Sequence, residues 1–137
     1  MSGTPMTAGA VARHQVHEAA VHAFDAQLAA GSPQAVPTVV AHDGIAEFID
    51  VEHGTSGAWP HTPARIGLHT TEGPSWLLDL TPTGARLLDS PAEVGERLHG
   101  PASDLFLAPY RRLPLERLHT EGDRTVLRRF LDWPSLD

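Results

Sequence analysis

The stretch RIGLHTTEGPSWLLDLTPTGARLLDS, residues 65–90, decides the fold class. Its first seven residues set Ile66, Leu68 and Thr70 against Gly67, His69 and Thr71, the period of two expected of a strand with one buried face. Glu72, Gly73 and Pro74 form a turn signal, so RIGLHTT and SWLLDLTP read as a hairpin. A second turn at Thr83 and Gly84 leads into ARLLDS, the third strand of an antiparallel meander. EVGERLHG, residues 93–100, reads as a shorter fourth strand, and LERLHTEG, residues 115–122, as a last one.

Helical patterns flank these strands. Pro101 suits a first helical turn, with Asp104 close behind to complement the helix dipole, so ASDLFLA is predicted to be helical until Pro109 ends or kinks it. Asp123 caps a closing helix, RTVLRRFLDW, which buries Val126, Leu127, Phe130 and Leu131. Upstream, residues 43–53 read as a helix with Ile45, Phe48 and Ile49 on one side and Glu47, Asp50 and Glu52 on the other. Residues 32–41, holding Pro33 and Pro37, read as an extended linker. Ahead of them, VARHQVHEAAVHAFDAQLAA predicts a helix over about residues 8–30, stopped by Gly31. The expected fold class is α+β, with helices over one face of an antiparallel sheet.

Composition narrows the function classes. The 137 residues contain no Cys, which removes disulfides, thiolate metal sites and a cysteine nucleophile. Seventeen acidic residues against ten basic give a formal charge of −7, which argues against binding a nucleic-acid backbone. No apolar run is long enough to span a bilayer and the N-terminus lacks signal-peptide features, so the expected location is intracellular and cytoplasmic. No G-x-S-x-G elbow, Walker-type loop or H-E-x-x-H occurs; the nearest pattern, H-E-x-x-x-H at residues 17–22, is not that of a zincin.

Nine histidines are the compositional feature that bears on chemistry. On a helical wheel with Glu18 at the origin, His14, Asp25 and His22 fall at about −40°, −20° and +40°, within an arc of roughly 80°. Val21, Leu28 and Phe24 form an adjacent apolar seam, and His17 falls inside it, where a packed and hydrogen-bonded imidazole is expected. Such a stripe suits either a metal site inside a helical bundle or a solvated or partner-facing surface. Glu18 and His22 make two ligands, and His14 joins them by geometry alone. Arg111, Arg112 and Arg117 form a basic cluster that either binds an anion or carboxylate or makes a solvated rim.

HEAAVHAFDAQLAAG resembles the last helix of the metal-binding, DinB-like bundle in the mycothiol-dependent maleylpyruvate isomerase family. AHDGIAEFID, HGPASDLFL and RRLPLERLHTEGDRTVLRRFL are similar, in order, to that family's linker helix, its G-P-A-S-D-L-L-L helix start and the end of its C-terminal domain. The resemblance implies two parts: residues 1–31 as one bundle helix, and residues 32–137 as a sterol-carrier-like C-terminal domain. It implies Glu18 and His22 as ligands of a divalent metal, zinc in most members, and mycothiol as the thiol that the metal activates. It also implies that three bundle helices and one His ligand lie outside this sequence, so the chain alone is expected to have little isomerase activity. The helix then lies on its own domain, pairs with a second copy as a homodimer, or docks on a separately encoded bundle. Two further readings stand beside this one: a stand-alone module binding a small hydrophobic ligand or lipid, and a structural remnant that acts by docking.

Overall fold

A computed structural model describes residues 8–49, 59–88 and 94–133. Helix α1 (Ala8–Ala29) is followed by α2 (Thr38–Glu47), then strands β1 (Ala64–Thr70), β2 (Ser75–Thr81), β3 (Gly84–Leu87) and β4 (Glu96–Gly100). Helix α3 (Ala102–Leu107), strand β5 (His119–Glu121) and helix α4 (Arg124–Asp132) complete the order. The α+β reading holds: the N-terminal helix α1 is followed by a domain in which helices pack on a five-stranded sheet.

The hairpin forms as its alternation requires. Ile66 lies opposite Leu78 and Leu68 opposite Trp76, so the apolar sets of β1 and β2 share a face. The fourth strand departs from a meander. Sheet order is β3-β2-β1-β4-β5, and β4 runs parallel to β1, with Leu68 opposite Leu98. Period-two patterning fixes which face Leu98 takes but not which strand it pairs with. Placement beside β1 leaves Leu98 fully buried, whereas Leu87 on the edge strand β3 is exposed. The sheet is therefore mixed, and β1 is its centre.

Helices α2, α3 and α4 fill the covered face. Phe106 of α3 and Phe130 of α4 are almost fully buried with Ile45, Ile66, Leu78, Leu80 and Leu127. Phe48 meets Phe130 edge to face at 5.8 Å between ring centres. Gly44 permits the close approach of α2 to α3, because a Cβ there would fall on the ring of Phe106.

Two boundaries differ from the sequence reading. Helix α2 begins at Thr38, inside the expected linker: Pro37 is its N-cap, φ −53° and ψ 137°, and its carbonyl accepts the first helical bond from the Ala41 N–H at 2.9 Å. The linker is also fastened: Val36 is buried and its N–H donates to Ser103 Oγ at 2.8 Å. Residues 50–53 of the expected helix lie outside the described residues. LERLHTEG is only partly a strand. Leu115–Arg117 make a single 3₁₀ turn, which puts Leu115 and Leu118 on one buried side at a spacing of three before β5 starts.

Candidate functional site

Helix α1 lies on its own domain through one side. His17 and Val21 are buried, with Ala20 and Phe24 packed beside them, while Val11, Val16 and Leu28 are exposed. The inner side is polar at its centre. Arg13 donates from Nε to Asp43 Oδ2 and from Nη2 to Asp43 Oδ1, each at 3.0 Å. The His17 ring stands between two carboxylates of α2, with Nε2 2.8 Å from Asp43 Oδ2 and Nδ1 2.8 Å from Glu47 Oε1. His14 Nδ1 reaches the same Glu47 oxygen at 3.0 Å, and its Nε2 lies 2.9 Å from Glu18 Oε1. The Arg13 guanidinium, more than His17, holds the Asp43 carboxyl below its ordinary range against the opposing effect of burial.

His17 thus occupies the packed, hydrogen-bonded place the wheel gave it. Glu47 departs from the outer face its helix pattern predicts, since it is only 4% exposed. Sequence reasoning missed Asp43 and Glu47 as partners. Asp43 and Glu47, four apart on one helix, meet Arg13, His14 and His17 of the preceding one, a pairing that neither helix's own pattern states.

The expected metal ligands divide. Glu18 and His14 are brought into contact, whereas His22 stands one turn further on, its side chain 70% exposed and Nδ1 3.9 Å from Asp25 Oδ2. Among the described residues no group of three or more His, Asp or Glu side chains is placed to hold a metal. A carboxylate oxygen and an imidazole nitrogen at i and i+4 suit a divalent ion chemically, but they form half of a tetrahedral set.

Of the three candidate arginines, Arg111 and Arg112 share one cleft and Arg117 lies apart from it. Arg112 does hold a carboxylate, that of its own chain's Asp25, through Nε at 3.0 Å and Nη2 at 2.8 Å. That fork lowers the Asp25 pKa and raises that of Arg112. Arg111 adopts a left-handed backbone, φ 63°, and with Arg112, Arg128 and Asp132 lines an open cleft of about 290 Å³ walled by Leu113, Leu115 and Leu131, where Arg128 Nη2 donates to Glu116 Oε2 at 2.9 Å. Arg117 acts elsewhere, easing the upward push that burial exerts on the Asp104 carboxyl.

The family model for the MDMPI C-terminal domain matches residues 39–129, from α2 into α4. The chain belongs to that family, the C-terminal domain of maleylpyruvate isomerase. Helix α1 precedes the matched region. A comparison with curated proteins gives no match.

Proposed function

We propose that the chain supplies the C-terminal domain and one ligand-bearing helix to metal-assisted, thiol-dependent isomerase or transferase chemistry. The observation that carries this reading is the two-sidedness of α1. Its inner side is clamped by Arg13, His17 and Asp25, while the opposite side, with Ala12, Val16, Ala19, His22 and Ala23, is exposed. Small residues with a carboxylate and an imidazole at their border suit a helix that packs closely on neighbours around a metal.

Glu18 and His22 would hold a divalent metal, zinc by family resemblance, with further ligands from a separately encoded bundle or from a second copy. The metal would lower the pKa of a bound thiol such as mycothiol. His14, hydrogen-bonded to Glu18, orients that carboxylate. The Asp25–Arg112 fork holds the last turns of α1, and with them His22, against the domain. Arg111, at the cleft beside Leu131, is the group suited to a substrate carboxylate, since Arg112 is committed to Asp25 and Arg128 to Glu116.

Equilibrium dialysis with zinc tests the reading. The isolated chain is expected to bind zinc weakly, to lose that binding in Glu18→Ala and His22→Ala, and to turn over little maleylpyruvate with a thiol. Zinc binding unaffected by both substitutions would overturn the ligand assignment. Binding of a hydrophobic ligand without metal would favour the sterol-carrier-like module, and a concentration-dependent mass with neither would leave a docking remnant.

A further inference from the structure

The sheet face opposite the helices carries a second polar constellation, remote in the sequence from the metal-ligand candidates. His69, His99 and His119 sit directly opposite one another on β1, β4 and β5. Their rings form a ladder, His69 stacked on His99 at 4.8 Å between centres and 20° between planes, His99 and His119 at 5.3 Å. Arg97 Nη1 lies 2.7 Å from His69 Nε2, His69 Nδ1 lies 3.0 Å from Ser75 Oγ, and His99 Nε2 lies 2.7 Å from Glu121 Oε2.

We infer that His69 is a proton-operated charge switch within this ladder, neutral while its Nε2 accepts from Arg97 and cationic once acid takes that lone pair. The hydrogen-bond chemistry is the reason. A guanidinium only donates, so its bond to Nε2 requires the ring's lone pair and assigns the ring proton to Nδ1, toward Ser75. A second proton removes that lone pair and places an imidazolium against Arg97 on one side and His99 on the other. Gly67 makes the arrangement possible. It lies opposite Arg97 in the register, and a Cβ there would stand 2.6 Å from His69 Nε2, so the ring lies over bare backbone.

The charged groups on this face are Arg65 and His69 on β1, Asp79 on β2, Arg86 on β3, Arg97 and His99 on β4, and His119 and Glu121 on β5. Asp79 is engaged by Arg65 and Arg86 at 3.6 Å each, which leaves Glu121 as the one acid beside the ladder among the described residues. Burial, then the His99 and Arg97 charges, lower the His69 pKa below the ordinary imidazole value, and Glu121 opposes them. Neutral His69 therefore contributes stability that is present above the unfolded value, near pH 6.5, and is lost as the pH falls through the folded value.

Two measurements on the whole chain test this. In an NMR titration of the histidine side chains, the His69 midpoint is expected below about 6.5 and should rise in His99→Gln. A His69 midpoint at the ordinary value and unmoved by His99→Gln would overturn the switch. In thermal melts, His69→Gln keeps an acceptor for Arg97 but cannot titrate, so the fall in Tm between pH 7 and pH 5 should be smaller than in the parent chain. Equal falls would equally overturn it, because the other histidines are common to both proteins.

Discussion

Asp25 and Arg112, 87 residues apart, meet in a two-bond fork that ties the C-terminal half of α1 to the turn after α3. The Asp25 pKa is held down chiefly by that hydrogen bond to Arg112. A carboxylate with a lowered folded pKa contributes stability above its unfolded value and loses it as the pH falls through the folded one. Asp25→Asn should therefore leave the global melting temperature little changed at pH 7, since exposed pairs contribute little. It should quicken amide exchange in the last two turns of α1, and the difference from the parent chain should vanish in strong acid. Unchanged exchange there would show that the fork does not hold the helix.

His17 and Glu47 form the buried counterpart of that fork. The His17 side chain is 1% exposed and that of Glu47 is 5% exposed. Removing His17 leaves the buried Glu47 carboxylate with His14 as its remaining imidazole contact, so His17→Ala should destabilise the chain by about 2 kcal/mol in urea denaturation. Adding Glu47→Leu should recover part of that loss, because it removes a buried carboxyl that has lost one of its two imidazole partners. A His17→Ala cost below about 0.5 kcal/mol, the range of an ordinary surface change, would deny the clamp.

Gly44 lies under the ring of Phe106 where α2 crosses α3. Gly44→Ala improves helix propensity, yet it forces a methyl into a filled space, and overpacking of this kind costs about 1–3 kcal/mol. A net loss in denaturation is expected, relieved in Gly44→Ala combined with Phe106→Leu. A stabilised single variant would mean that the two helices can part at no cost.

The hairpin, both closing helices and the packed state of His17 are legible in the sequence because each depends on local periodicity or on a single cap. Asp123 is an example: its side chain accepts from the Thr125 N–H at 2.8 Å, as its position before RTVLRRFLDW requires. The parallel pairing of β4 with β1 is not legible, since ERLHG offers the same alternation to any neighbour. Among the site residues, Glu18 and His22 are candidates from spacing and resemblance; the fold leaves Glu18 half-buried beside His14 and His22 exposed. Asp43 and Glu47 were hidden because a polar face on one helix reads as solvated until another helix is laid over it.

Sequence alone determined which faces of the strands and helices are apolar, where the helices stop, and which side chains could be ligands. Tertiary structure decided what those side chains meet: Arg112 is committed to Asp25, His17 to Asp43 and Glu47, and three histidines separated by 30 and 20 positions in the chain become one ladder. The reason is physical. Backbone periodicity is set over a few residues, whereas ion pairs and ring stacks depend on distances that only the folded chain fixes.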